Sequence, residues 1–281
     1  LDEIEEILGL GFERINIADD LFTSDKERVL EICEGINKRG LKLGWSAFAR
    51  VDTVNPEILA AMAAAGCDSI SFGVETGDPQ MLQRIRKGIR LEHAAPAMQM
   101  CKDVGILPHV SFMVGLPGET KETMRATDRL ARSLDVIYGY HYLAPFPGTT
   151  VREQVEKYDL EILTDDWNKY DANDAIVRTS SLSPEDMRAF VAIYEEEMNA
   201  DWQKILAGYE NKTNSPRENL RVMGHWRMHL TYKILKNDLI EKLGLIDHTL
   251  CNGSRESALM ELCNRIIIAT GDEPQIVNHT M

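Results

Sequence analysis

The chain has 281 residues, of which 44% are hydrophobic and 27% are charged, an ordinary composition for a globular protein. Its 45 acidic residues outnumber 31 basic ones, and the net charge of −14 argues against a surface that binds nucleic-acid phosphates. No apolar run is long enough to span a bilayer, and the first residues lack the layout of a signal peptide. We therefore expect a cytoplasmic protein without a membrane span.

The first half of the chain alternates helical and strand patterns. Four segments each end a helix at a glycine and then enter an apolar strand; the glycines are Gly11, Gly40, Gly66 and Gly105. Glycine closes a helix with positive φ at little cost, so these units predict βα repeats. A fifth strand pattern follows at 136–146. Consecutive strands linked by helices predict a parallel sheet covered by helices, either closed as a barrel or open.

Helix starts are marked by capping residues. Ser24 and Glu27 form a capping-box pattern before the second helix, and Asn55 precedes Pro56 at the start of the third. From about residue 151 the pattern is helical only, with Ser183 as a further cap. We predict a catalytic half at 1–150 and a helical C-terminal extension at 151–281. The chain begins at a leucine inside a helical pattern, so we expect a longer parent protein.

The cysteines show no metal-binding spacing. They are Cys33, Cys67, Cys101, Cys251 and Cys263, and no two of them are two or three residues apart. We predict reduced, packed thiols. His225 and His229 have a spacing that can hold zinc, but no glutamate lies between them, and packing or surface roles are favoured.

Polar residues and glycine–proline turns follow all five predicted strands. They are Asp19 and Asp20, Arg50, Glu75, the turn at 115–120 and the turn at 143–149. Ligands of βα barrels and open α/β sheets bind at the carboxyl ends of the strands, so this order predicts one ligand-binding rim. Taken alone, Glu75 could equally be the solvated end of a strand.

Five segments resemble a known family. "INIADDLFTSD", "SISFGVETGD", "IRKGI", "VSFMVGLPGET" and "LAPFPGTT" are similar to radical S-adenosylmethionine (SAM) enzymes, above all the branch that often carries an upstream cobalamin-binding domain. The resemblance implies an α/β fold, a partial (β/α)₆ barrel that lacks its first strand here. It also implies SAM and a 4Fe–4S cluster as cofactors, an electron donor for the cluster and a small-molecule substrate. The expected outcome is radical chemistry, with cobalamin-assisted methyl transfer or ring rearrangement as candidates.

The resemblance assigns roles to charged residues at the rim. Asp19 and Asp20 match the segment that receives the methionyl amino group of SAM, with a divalent-metal site or a capping turn as alternatives. Glu75 matches the strand position that meets the ribose hydroxyls or the methionyl end. Arg50 could pair with the methionyl carboxylate, or form a salt bridge within the rim.

The resemblance also assigns the adenine end of the site. Gly115 and Leu116 match a segment whose backbone packs against adenine, and Leu143 and Pro145 match its other side, again through backbone. Glu119 is expected to cap the next helix instead of touching the ligand.

The family's Cys-x₃-Cys-x₂-Cys loop is missing from this sequence. Three thiolates of that loop hold the cluster, so the chain alone is expected to be inactive. The alternatives are a metal-dependent βα-barrel lyase or aldolase that uses Asp19 and Asp20, or a non-catalytic fragment. Tyr138, Tyr140 and His141 lie on the fifth strand, and the sequence leaves open whether a tyrosine or a histidine faces the substrate.

Overall fold

The computed structural model describes residues 1–215, 218–219 and 221–222. Expectations for His225, His229, Cys251, Cys263 and the helical stretch after residue 222 lie outside the described residues. Contacts divide the chain into two units, Leu1–Tyr194 and Glu195–Met281. The division proposed at residue 150 stays a prediction.

The elements follow the predicted alternation of helix and strand. The helices are α1 (Asp2–Gly9), α2 (Lys26–Lys38), α3 (Pro56–Ala64), α4 (Pro79–Arg84), α5 (Ala94–Asp103), α6 (Lys121–Ser133), α7 (Thr150–Glu153) and α8 (Pro184–Glu210). The strands are β1 (Arg14–Asn16), β2 (Gly44–Ala49), β3 (Cys67–Glu75), β4 (Leu107–Val114), β5 (Ile137–Tyr142), β6 (Glu161–Ile162) and β7 (Val177–Arg178).

The first five strands form one sheet in the order β1-β2-β3-β4-β5, and every neighbouring pair is parallel. Each step to the next strand therefore passes through a helical crossover, as βα repeats require. This arrangement confirms the expected partial (β/α) barrel. β6 and β7 form a separate antiparallel pair in a region for which the sequence predicted helices only.

The two faces of the sheet differ sharply in polarity. One face carries buried apolar side chains, such as Ile70, Phe72, Val110 and Phe112, which belong to the hydrophobic core. The alternate positions of β3, β4 and β5 are only partly buried or exposed. We call this second surface the polar face; it carries Ser69, Ser71, Gly73, His109, Ser111, Met113, Gly139 and His141.

The tyrosines of β5 lie on the core side of the sheet. The Tyr140 ring lies 6.0 Å from the Phe112 ring and 5.1 Å from the Phe190 ring of α8. Because side chains alternate along a strand, Gly139 and His141 lie on the polar face. The structure thus packs the tyrosines of β5 in the core and places His141 on the polar face, and a contact of His141 with substrate stays a prediction.

The local signals for helix ends are largely confirmed. Gly11, Gly40, Gly66 and Gly105 all have positive φ, and the Asn55 side chain accepts a hydrogen bond from Ile58 N at 3.0 Å. The prediction that Ser24 caps α2 is wrong. Ser24 ends a 3₁₀ turn, and Asp25 takes the extended cap conformation and accepts from Arg28 N at 3.0 Å.

Candidate active site

The predicted site residues lie at the carboxyl edge of the parallel sheet. Arg50 directly follows β2, Glu75 is the last residue of β3, and Gly115 directly follows β4. Leu143 directly follows β5, with Pro145 close behind. Because β1 already ends at Asn16, Asp19 and Asp20 lie in the loop after it and not at its end. Parallel strands bring these segments to a single rim.

Glu75 has the most unusual backbone at this rim. Its φ is +71°, and the β3–β4 register shifts between Gly73 and Glu75. A left-handed conformation is costly for a residue with a side chain, and bulges re-aim side chains beside active sites. Here the Glu75 carboxylate accepts a hydrogen bond from Lys87 Nζ, with 2.5 Å between Nζ and Oε1.

Gly73 makes room for this ion pair. A Cβ at Gly73 would lie 2.6 Å from Glu75 Oε1 and 3.0 Å from Lys87 Nζ, closer than such contacts allow. The carboxylate and the ammonium therefore lie directly over Gly73, at the rim end of the polar face. Glu75 Oε2 forms no hydrogen bond with any described residue and stays available as an acceptor.

Arg50 forms a salt bridge with Asp52 within the rim. Its guanidinium donates to both carboxylate oxygens of Asp52, with Nε–Oδ1 and Nη2–Oδ2 distances of 2.9 and 2.8 Å. These hydrogen bonds lower the pKa of Asp52, the guanidinium supplying the main effect. The rim salt bridge considered from the sequence is therefore formed. A role for Arg50 toward a ligand carboxylate stays a prediction.

Asp19 accepts hydrogen bonds from two nearby residues. Its carboxylate accepts from Leu21 N at 3.0 Å and from Arg28 Nη2 at 2.8 Å. The Leu21 amide first and the Arg28 guanidinium second lower the pKa of Asp19. Asp20 is exposed. Within the described ranges no group of three or more His, Cys, Asp or Glu side chains could hold a metal ion.

Glu119 fastens the turn after β4. Its Oε2 accepts from Gly115 N at 2.7 Å and Leu116 N at 3.3 Å, and the side chain is fully buried. Burial raises the pKa of Glu119 to about 7, although the two amide hydrogen bonds act in the opposite direction. Its Oε1 has no hydrogen-bond partner among the described residues.

Glu119 does not cap α6, and that expectation is wrong. The cap is Thr120, whose Oγ1 accepts from Thr123 N at 3.3 Å. Glu119 accepts the hydrogen bonds of the Gly115 and Leu116 amides, so these two donors are not available to a ligand. The turn would therefore meet an adenine ring with apolar surface and carbonyl groups. Gly115 itself has a φ of +90°, which favours glycine.

The turn after β5 lies beside the turn after β4. Leu143 N donates to Val114 O at 2.9 Å, which joins the two segments through their backbones. Leu143 and Pro145 are buried, and the Pro145 carbonyl accepts from Arg152 Nη1 at 3.1 Å. The structure thus brings together the four residues assigned to the adenine end. Their contact with adenine stays a prediction.

The cysteines do not form a cluster site among the described residues. Cys33, Cys67 and Cys101 are free and buried, and burial raises their pKa values to about 11, 12 and 12. Thiolates are the metal-binding form, so these neutral thiols do not fit a 4Fe–4S cluster. Cys67 also begins β3, at the end of the strand opposite the rim.

Sequence reasoning missed Lys87 as the partner of Glu75 and the space that Gly73 leaves for this pair, and it assigned Glu119 to a helix cap instead of the turn after β4. Lys87 lies in the recognised segment "IRKGI", yet its partner is 12 residues away in the chain. The signal that could have found the pair is the glycine placed two residues before a strand-ending acid. Such a glycine leaves space for a charged side chain on the same face.

Fold and rim together define a partial βα barrel whose charged residues and turns gather at the carboxyl ends of its strands, where folds of this class bind their ligands. Residues 1–131 match the model of the radical SAM superfamily. This match confirms the resemblance to radical SAM enzymes over residues 1–131. Enzymes of the superfamily use SAM and a 4Fe–4S cluster. A metal-dependent lyase or aldolase is not favoured.

Curated relatives carry names of methylating and ring-forming enzymes. An uncharacterised methyltransferase of Pyrococcus horikoshii is 33% identical over 190 residues, which are 66% of this chain and 41% of that protein. The anaerobic magnesium-protoporphyrin IX monomethyl ester cyclase of Rubrivivax gelatinosus is 29% identical over 57% of this chain and 30% of its own. The chain thus spans less than half the length of these relatives.

Solved structures share the fold. The radical SAM methyltransferase TsrM of Kitasatospora setae, described with cobalamin and a 4Fe–4S cluster bound, has a TM-score of 0.53 and 24% identity. That match covers 67% of this chain and 37% of TsrM. The cobalamin-dependent radical SAM enzyme OxsB has a TM-score of 0.53, 18% identity and coverages of 96% and 49%. In the described part of the chain, no helix is long and apolar enough to cross a bilayer.

Proposed function

We propose that this chain forms the SAM-binding half-barrel of a radical SAM enzyme that modifies a small molecule. The observation that carries the proposal is the Glu75–Lys87 ion pair over Gly73 at the end of β3. The amino-acid part of SAM bears an ammonium and a carboxylate, so an acid beside a base offers each of them an opposite charge.

The donor set at the rim fits this cofactor. Glu75 Oε2 would accept from the ribose hydroxyls or the methionyl ammonium, and Lys87 would donate to the methionyl carboxylate. Gly115, Leu116, Leu143 and Pro145 would pack against adenine, with their backbones held together by the β4–β5 contact. Asp19, Asp20 and Arg50 are second candidates for the methionyl end.

The role of this chain's residues is to bind and orient the cofactor and the substrate and to exclude water from them. When bound, SAM and the cluster supply the one-electron chemistry that starts a radical reaction. The described cysteines do not fit a cluster, so no ligand is assigned to it here. The names of the relatives support methyl transfer or ring formation as the outcome, with cobalamin as a further cofactor. An electron donor and a cytoplasmic location belong to the same proposal.

The test is a SAM titration of the intact protein and three variants by calorimetry. Glu75→Ala should weaken SAM binding about tenfold to a hundredfold, because a charge-assisted hydrogen bond contributes about 1.5–3 kcal/mol. Glu75→Gln keeps an acceptor and should lose less. The control is Glu57→Ala, which breaks an exposed ion pair with Lys26 on the helical layer.

The control should bind SAM like the wild type, and melting curves must show that all variants are folded. Wild-type affinity in Glu75→Ala would overturn the assignment of Glu75. Equal losses in Glu75→Ala and Glu57→Ala would also contradict it, because the effect would then be unspecific.

A further inference from the structure

A group of histidines and serines lies on the polar face beside the Glu75–Lys87 pair. Strand register places Ser71 opposite His109, and Gly73 opposite Ser111. The next strand places Gly139 opposite Ser111 and His141 opposite Met113. Neighbouring strands are about 4.8 Å apart, so these side chains form one surface. The ion pair over Gly73 borders it on the rim side.

Two glycines let neighbouring side chains lie close to the backbone of this surface. Gly73 carries only the ion pair above it, and a Cβ at Gly139 would meet nothing closer than His109 Cε1 at 4.0 Å. The His109 ring therefore leans toward β5, over Gly139. Four polar side chains then surround the space above the two glycines. They are Ser71, His109, Ser111 and His141, which we call the His–Ser group.

The polar atoms of this group have no partners within the described part of the chain. None of the four side chains forms a hydrogen bond or ion pair with another described residue. None of these polar atoms is among the fully buried, unpaired side-chain atoms of the described residues, so they are accessible to a hydrogen-bonding ligand. Three of the four are half-buried, and only His141 is exposed. The group therefore resembles a binding surface without its ligand.

The hydrogen-bond donors around His109 suit an oxyanion. Burial first and repulsion from His141 second lower the pKa of His109, which favours the neutral form of its ring. On β3 the charged neighbours are Glu75 and, through it, Lys87, which offset each other. All four side chains of the group can donate a hydrogen bond, and none is an acid. An oxyanion bound among them would accept these donors and relieve the repulsion.

We propose that the His–Ser group binds an oxyanion of the substrate, a carboxylate or a phosphate, next to the SAM site. This inference rests on the proposed function, since it calls the ligand a substrate, and it extends that function to a substrate class. A metal ion fits less well, because the group has only two metal-ligating side chains and no described group has three.

The experiment follows the histidine ring signals of the intact protein by NMR. Spectra are titrated from about pH 5 to 8 at constant ionic strength, in chloride, inorganic phosphate or acetate. Either oxyanion should raise the pKa of His109 by about half a unit or more, because a bound anion stabilises the imidazolium. The internal control is His93, in the turn Leu91–His93, whose ring signals should be the same in all three salts.

Two variants sharpen the measurement. His141→Gln removes the repelling neighbour, so the pKa of His109 without added oxyanion should rise and the response to phosphate should shrink. Ser111→Ala should also weaken the response. The wild-type spectra decide the question even if a variant fails to fold.

Several results would overturn the proposal. One is a His109 pKa that neither phosphate nor acetate changes. Another is an equal response of His93, which would show a general salt effect. A third is a shift of His109 on adding SAM alone, which would assign the group to the cofactor. A SAM titration of the same sample tests the SAM site separately, so either proposal can fail while the other stands.

Discussion

Lys87 Nζ lies 2.5 Å from Glu75 Oε1 and joins the loop after α4 to the end of β3. The two side chains are 25% and 17% exposed, so water and salt screen this pair less than a surface pair. The matched comparison is the Lys26–Glu57 pair, with a similar distance of 2.6 Å but exposures of 41% and 61%.

Lys87→Met should weaken SAM binding by about tenfold to a hundredfold, since it removes a charged donor and leaves Glu75 unpaired. Lys87→Arg keeps a positive charge and should lose less. Calorimetric titration measures both, with Lys26→Met as the control. The role of Lys87 is disproved if Lys87→Met and Lys26→Met bind SAM equally well.

Gly73→Ala should disrupt the ion pair, because the new Cβ would lie 2.6 Å from Glu75 Oε1. Because the ends of both flexible side chains can move away from the new Cβ, we expect a loss of SAM affinity of up to about tenfold, the lower end of the range for a charge-assisted contact. Gly9→Ala is the control, since a Cβ at Gly9, in α1, would find nothing within 4 Å. If both variants bind SAM with wild-type affinity, the carboxylate does not need the position seen over Gly73.

The free energy of unfolding should fall as the pH rises, because Glu119 loses its proton. Its folded-state pKa is raised from 4.5 to about 7, so its contribution is full below pH 4.5 and is lost as the pH rises through about 7. The loss is on the order of 3 kcal/mol. Urea unfolding at about pH 4.5 and pH 7.5 measures it. Glu119→Gln cannot titrate, so its free energy of unfolding should fall less between the two pH values; an identical fall would contradict the assignment.

Asp25→Ala should lower the free energy of unfolding by about 1 kcal/mol, because the Arg28 amide at the start of α2 loses its acceptor. Ser24→Ala should change it by less than about 0.5 kcal/mol, since Ser24 does not cap the helix. Thermal or urea unfolding of the two variants compares the positions directly. Greater destabilisation by Ser24→Ala would restore the cap suggested by the sequence.

Sequence alone determined the order of helices and strands as far as β5, the parallel sheet and the resemblance to the family. These features depend on residues close together in the chain. Each signal lies within a few neighbouring positions of the sequence. The signals are the periodicity of apolar side chains, the glycines that end helices and the Asn55–Pro56 helix start. The order of strand-end segments was enough to place Arg50, Glu75, Gly115 and Leu143 at one rim.

Tertiary structure decided which side chains meet at that rim and on the polar face. Lys87, in the loop after α4, donates a hydrogen bond to Glu75, which lies just after the register shift at the end of β3. Glu119 turns back to Gly115, where burial raises its pKa. On β5 the sheet register places His141 on the polar face. A shift of one residue exchanges the two faces of a strand, and residue order alone does not contain that register.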